Sequence, residues 1–435
     1  MINQNEAAPQ RVLLIAEHAS AKFGGEASLP LQYFMRLRKR GVECWMVSQA
    51  RTRDELLELL PSESDRLFFT PDSGFHKLAV RMARLLPARL GDFSFGFLSR
   101  VVTQVAARRI AKRLIREHAI DVVHQSIPVS PREVSLVFGV GAPVIIGPMN
   151  GGMVYPPGFR NFDGRIAHIV IALGRFLSPF AHRIFPGKPR AARLLVANER
   201  TRQALPARMR ERAELLVENC VDLDLWRRAG GEESQSASQA KLHFVYLGRL
   251  ISLKCVDILL EAFALVLGST DATLTIIGDG LLREDLKTQS RRLGIESRVE
   301  FTSWLTQQEC AAQLRGASAL VFPSVHDCGG AVVLEAMAAG VPVIAADWGG
   351  PADYLDDSCG ILVSVASRQR LKEGLTSAML RLGGSPDLRR QLGDAGRQKA
   401  AREFDWERQI DKILEVYSDV MAPRERPNSP LKVDE

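Results

Sequence analysis

Three short segments in the second half of this 435-residue chain gather cations, glycines and carboxylates where a phosphate could be held. The first, Leu247-Gly248-Arg249-Leu250-Ile251-Ser252-Leu253-Lys254, places two cations after an apolar run. The Arg249 guanidinium can grip phosphate oxygens as a fork, and the Lys254 ammonium adds a point charge. The second, Ile277-Gly278-Asp279-Gly280, carries glycines that permit positive φ and close approach of a ligand. The third runs from Val321 to Gly340: a strand-like run ends at Ser324, Gly329 and Gly330 open a helix at Ala331 and Val332, and carboxylates stand at Asp327 and Glu335. Eight positions are about two helical turns, so Glu335 can face the same side as the helix start. Each segment also has a plain structural reading: Gly278-Asp279-Gly280 as a turn, Asp327 as a helix cap, Glu335 as a solvated charge.

These loops require strands before them and helices after them. Short aliphatic runs alternate with helical-length stretches along the whole chain, which is the mark of parallel βαβ units. In the first series, strands are expected at 11–16, 43–48, 121–124, 143–146, 193–197 and 214–217, with an amphipathic helix at 26–40 that Gly41 stops. The Gly- and Pro-rich region 147–190 reads as long loops with one amphipathic helix. After a polar stretch at 230–240, the second series has strands at 243–247, 274–277, 299–302, 319–323, 342–345 and 360–363. Residues 406–421 have helical periodicity, and the Pro-rich, charged tail 422–435 reads as disordered. The fold class is therefore α/β, with two doubly wound parallel-sheet domains. In open sheets of this kind ligands bind beyond the carboxyl ends of the strands, beside helix N-termini that favour phosphate.

Composition narrows the partners. A 25% charged, 46% hydrophobic chain of this length fits two globular domains. No apolar run approaches the roughly 20 residues needed to cross a bilayer, and residues 1–10 lack the pattern of a secretory signal, so a cytoplasmic protein is expected. Six cysteines without a CxxC spacing argue against a zinc site or a disulfide framework. The net charge of +7 is unevenly spread: residues 1–220 hold 32 Lys and Arg against 19 Asp and Glu, while residues 221–435 hold 25 against 31. The basic half reads either as solvated helix faces or as a surface for an anionic membrane or anionic substrate. Nucleic acid is not expected, because no recognition motif accompanies the charge.

Taken together, Gly248-Arg249-Leu250, Lys254-Cys255, Gly278-Asp279-Gly280, Asp327-x7-Glu335 and the run from Glu335 to Val343 resemble glycosyltransferase family 4, in the order the family has them. Glu218-Asn219-Cys220-Val221-Asp222 resembles the family's interdomain linker. The resemblance is strong over 243–363 and weaker toward the N-terminus. It implies the GT-B fold: an acceptor domain over 1–220, completed by a returning helix at about 404–421, facing a nucleotide-sugar donor domain over 221–403 across a cleft. It further implies a retaining, metal-independent hexosyl transfer from a UDP- or GDP-sugar to a glycan or lipid-linked glycan in polysaccharide biosynthesis, with no cofactor beyond that donor.

By the same resemblance, Arg249 and Lys254 hold the donor diphosphate, Glu335 accepts from the ribose hydroxyls, and Asp327 meets the sugar. The backbone from Gly329 and Gly330 to Ala331 and Val332 faces the phosphates. Gly24 and Gly25 resemble the family's glycine pair near them. His124 ends a segment that matches the family's acceptor side, and a lone histidine at a strand end reads equally as structural. The loop 147–153 is a further acceptor candidate. Asp327 stands where the family usually has Glu, and Cys255 and Cys220 where it has Gly; these departures leave a catalytically weakened nucleotide-sugar-binding protein as the non-enzymatic alternative, beside an epimerase or a phosphorylase. Asp222-Leu223-Asp224 spells a metal-binding DxD, but it falls in the linker and is not read as a metal site.

Overall fold

A computed structural model of the chain describes residues 10–22, 25–83, 85, 91–162, 165–226 and 241–422. Gly24, the polar stretch 230–240 and the tail beyond Ala422 lie outside them. The first sheet has strands β1 (Arg11–Ile15), β2 (Glu43–Gln49), β3 (Leu67–Thr70), β4 (Val122–Gln125), β5 (Val144–Met149), β6 (Arg193–Val196) and β7 (Ala213–Leu215). They are parallel, in the order β3-β2-β1-β4-β5-β6-β7. The second sheet has β8 (Leu242–Leu247), β9 (Ala272–Ile277), β10 (Val299–Thr302), β11 (Ala319–Phe322), β12 (Val343–Ala346) and β13 (Gly360–Val363), also parallel, in the order β10-β9-β8-β11-β12-β13.

Both sheets are doubly wound, as the alternation of apolar runs requires. Strand order reverses between β1 and β4 in one and between β8 and β11 in the other, so each sheet opens a crevice there at its carboxyl edge. The sequence reading lacks β3. That strand is a four-residue edge with its two middle side chains half-exposed, so Leu67-Phe68-Phe69-Thr70 shows little of the buried run that marks the inner strands.

Strand residues alternate between two faces, and the first sheet buries both. Val12 and Leu14 pack with Tyr33, Phe34 and Leu37 of helix α1 (Gly25–Lys39), whereas Leu13 and Ile15 pack with Ala111 and Leu114 of α2 (Phe97–His118). Helix α3 (Arg165–Ile184) follows β5, and α4 (Ala331–Ala338) follows β11. The last helix, α5 (Trp406–Met421), begins at an Asp405 cap and lays Trp406, Ile410, Ile413 and Tyr417 on the α1 side of the first sheet. This spacing of four, three and four is one helical stripe. Burying each of these large side chains contributes roughly 1.5–3 kcal/mol, so the helix is fixed to the first sheet although it follows the second in sequence.

The two strands of chain that cross between the sheets pair with each other. Val221 donates to Phe404 O at 2.8 Å, and Trp406 donates back to Val221 O at 3.3 Å. Arg36 of α1 clamps the crossing, with one guanidinium nitrogen 2.8 Å from Asp222 and another 2.9 Å from Glu407, over the Trp406 ring. Among the described residues no helix is long and apolar enough to cross a membrane.

Candidate functional site

The second sheet's crevice is flanked by the loops after β8 and β11, and these loops are joined. Val325 donates to Leu253 O at 3.0 Å, and the Lys254 ammonium is ion-paired with Asp327. Lys254 is mostly buried, with its Nζ 5.0 Å from the Phe322 ring centre. The other oxygen of Asp327 accepts from Gly330 N–H at 3.0 Å. Thus the lysine, the acid and the start of α4 form one constellation. Both carboxylate oxygens of Asp327 are engaged, yet each keeps a lone pair for a further donor.

Gly330 enters α4 with φ of 67°, a conformation that costs an L-residue about 1–2 kcal/mol. Ala331 and Val332 open the helix, so their amides have no acceptor within it and point out of its positive end. Arg249 sits on the adjoining segment with its side chain exposed and without an ion-pair partner among the described residues. Tyr246 hydroxyl donates to the Arg249 carbonyl at 2.9 Å. Glu335 lies within α4, and burial pushes its carboxyl up to about 7. Glu335 is half-buried, and its carboxylate has no hydrogen-bond or ion-pair partner among the described residues, so it is an acceptor open to further donors.

Gly278 and Gly280 have another duty. A Cβ on Gly278 would overlap Gly248 O, and one on Gly280 would overlap Leu250 O. Backbone bonds stitch the same segments together: Gly248 N to Ile277 O at 3.0 Å and Leu250 N to Asp279 O at 2.8 Å. The missing side chains of these glycines are thus spent on backbone packing that positions the Arg249 loop. Gly278→Ala, at φ of 133°, is expected to destabilise the chain by about 2–4 kcal/mol through that clash and to weaken binding at the Arg249 loop. A thermal melt coincident with wild type would show that the two loops are not coupled in this way.

Cys255 also sits in the left-handed region, at φ of 51°, and its thiol is buried and pushed up to about 12. The backbone geometry explains why glycine suits that position. All six cysteines are free thiols.

The first domain meets this site through Asn219. A Cβ on Gly329 would overlap the Asn219 amide, and a Cβ on Gly25 would lie 4.0 Å from its Oδ1. Gly25 and Gly329 therefore approach the same side chain from opposite domains. Asn150, from the 147–153 loop, donates to the Glu218 carboxylate at 2.6 Å and to Cys328 O at 3.0 Å, and is itself buried. Asn198 and Arg200 reach across to Asp353, and Trp348 Nε1 donates to Val154 O at 2.8 Å. Through Asn150 the 147–153 loop joins the two domains across their seam.

His124 corrects its catalytic reading. The ring is fully buried, with Nε2 2.6 Å from Gly147 O and Nδ1 2.7 Å from the Tyr417 hydroxyl. The carbonyl can only accept, so Nε2 carries the proton and Nδ1 accepts from Tyr417. Burial pulls its pKa down to about 4, so it stays neutral. It presents no nitrogen to the cleft and instead ties the 147 loop to the returning helix. Asp222 is likewise occupied: it pairs with Arg36 and accepts from the amides of Asp224 and Leu225.

Several groups lay beyond the sequence reading. Glu17, just past β1, is pushed up to about 7 by burial and by Glu133. Glu26 in the first turn of α1 is raised by burial and again by Glu133. Glu218 is pushed up to about 7 by burial, with Glu26 and Asp327 adding to the shift. The switch-point rule, applied to the first sheet, would have singled out Glu17 and Glu26.

With this geometry in view, the family model of group 1 glycosyl transferases matches residues 232–399. The matched segment contains Arg249, Lys254, Asp327, Gly330 and Glu335. Among curated proteins, the chain is similar to a D-inositol 3-phosphate glycosyltransferase of Streptomyces bingchenggensis, 33% identical over 219 residues, covering 46% of each chain. One from Segniliparus rotundus is 31% identical over 208 residues, covering 45% of each. The chain spans about half the length of these curated relatives.

Solved structures extend the likeness to both domains. HepE of Anabaena in complex with UDP superposes with a TM-score of 0.64 at 16% identity, over 94% of this chain and all of that one. A glycosyltransferase of Rickettsia africae gives 0.66 at 14%, over 95% and 99%. WaaG, a glycosyltransferase involved in lipopolysaccharide biosynthesis, gives 0.57 at 15%, over 93% and 99%. The chain has the GT-B fold.

Proposed function

We propose that this chain transfers a hexosyl group from a UDP- or GDP-sugar to a glycan or lipid-linked glycan, with retention at the anomeric carbon and without a metal ion. The observation that carries the reading is the meeting of Lys254, Asp327 and the first amides of α4 at the second sheet's switch point, beside exposed Arg249 and Glu335, which has no partner among the described residues. Charge growing on the departing diphosphate would fall on Arg249, Lys254 and the amides of Ala331 and Val332, which are in place before the bond breaks. Glu335 would accept from the ribose hydroxyls. Asp327 would accept from a sugar hydroxyl with the lone pairs that Lys254 and Gly330 leave. Gly25 would let the donor pass close to α1. The acceptor would be held by the first domain, at the cytoplasmic face of a membrane.

A thermal-shift screen of nucleotide sugars tests the donor. A matched UDP- or GDP-sugar is expected to stabilise the chain by about 2.7 kcal/mol at a concentration about a hundredfold above its Kd. Transfer of radiolabelled sugar into a membrane extract then separates an enzyme from a binding protein: stabilisation without transfer would refute the transferase reading. No stabilisation by any nucleotide sugar would refute the donor site as well.

A further inference from the structure

The last two turns of helix α3 are built inside out. Over 176–184 the buried side carries Ser178 and His182, while Phe176, Phe180 and Ile184 are 69%, 59% and 70% exposed. The spacing of four and four puts those three in one stripe, and the Phe176 and Phe180 rings are 6.1 Å apart. Ser178 Oγ and both ring nitrogens of His182 have no hydrogen-bond partner among the described residues. A helix packed for water alone turns these faces the other way.

The stripe ends at a groove of about 400 Å³ where Ile184 and Phe185 meet Arg108, Arg109 and Lys112 of α2. Arg109 and Lys112 are exposed. Apolar side chains that project from a rim of cations match one surface chemistry: an acyl layer beneath anionic headgroups. An apolar protein partner would leave the cations unmatched. No described helix crosses a bilayer, so the contact is lateral.

We infer that the α3 stripe, with Arg109 and Lys112 beside it, docks this protein on an anionic lipid surface, Phe176, Phe180 and Ile184 entering the acyl boundary. The inference rests on the proposed acceptor at a membrane face only for the purpose the contact serves; the binding itself requires no donor.

Co-sedimentation of the full chain with phosphatidylcholine vesicles, and with mixed phosphatidylcholine and phosphatidylglycerol vesicles, tests it. Binding is expected to require phosphatidylglycerol and to fall with salt. Phe176→Ser/Phe180→Ser/Ile184→Ser is expected to abolish it. Each basic group near an anionic bilayer is worth about a fivefold gain in affinity, so Arg109→Glu/Lys112→Glu is expected to weaken binding by at least about 25-fold. Both variants alter exposed side chains, and their melting and their stabilisation by nucleotide sugar are expected to match wild type. Equal binding to both vesicles, no binding by wild type, or wild-type binding by both variants overturns the proposal. A dimer in buffer that the triple substitution dissociates would assign the stripe to a second copy and overturn it too. Lost vesicle binding with intact nucleotide-sugar stabilisation is a failure of docking alone; lost stabilisation is a failure of the donor site.

Discussion

Lys254→Ala is expected to lower kcat by about 10²–10³, the usual cost of removing one preorganised charge from a developing anion. If the ammonium acts mainly as the diphosphate leaves, kcat and kcat/KM fall together and KM changes little. The structure revises what the sequence suggests about stability. A lysine that only faced phosphate could be removed without structural cost, but Lys254 is mostly buried, ion-paired with Asp327 and seated above Phe322. Its loss leaves Asp327 with Gly330 N–H as its remaining partner, and an orphaned, partly buried carboxylate costs roughly 1–3 kcal/mol. Asp327→Asn in the same chain removes that orphaned charge. The double variant is therefore expected to recover most of the melting temperature and none of the turnover. Turnover in the wild-type range for Lys254→Ala, or turnover that returns along with stability in the double variant, would reduce the lysine to a structural role.

How much of this was readable beforehand depends on how local the cause is. The inner strands β11 and β12 of the second sheet are buried at every position and appear as unbroken apolar runs, and the half-exposed edge strands at 299–302 and 360–363 are strands in both descriptions. The convergence of the 249–254 and 327–330 loops follows from strand order, which the βαβ alternation implies. What sequence hides is the partner far along the chain. His124 and Tyr417 are 293 positions apart, and nothing near His124 shows that both ring nitrogens are taken. The same holds for Asn150, whose amide joins Glu218 to the carbonyl of Cys328. Gly278 and Gly280 are legible as special but not as to why, because the atoms they make room for belong to Gly248 and Leu250. Glycine marks a close approach in sequence; only coordinates tell whether ligand or backbone approaches.

Glu335→Gln is expected to make the chain more stable and a worse binder of the donor. Burial raises this carboxyl from 4.5 to about 7, so folding favours its protonated form. The sign follows: below pH 4.5 folded and unfolded chains are both protonated there and the group costs nothing. Between pH 4.5 and 7 the unfolded chain gives up its proton first, stability falls as pH rises, and above pH 7 the loss is complete. At about 1.4 kcal/mol per pKa unit the loss is at most about 3 kcal/mol, less to the extent that water reaches the side chain. Glutamine has the same shape and no charge to desolvate. Melting curves of the two proteins are therefore expected to coincide near pH 4.5 and to separate toward pH 8, with the variant the more stable. Glu17 and Glu218 also titrate near pH 7, but both chains contain them, so the difference isolates Glu335. Binding moves oppositely. A carboxylate can accept from two ribose hydroxyls with charge assistance, whereas an amide offers one acceptor oxygen, so donor affinity is expected to fall about 10–100-fold at pH 8. In wild type the same logic makes the donor bind more tightly as pH rises through 7, because the ionised form is the better acceptor. Donor affinity that is flat with pH in wild type and unchanged in Glu335→Gln would mean that this half-buried carboxylate serves something other than the donor.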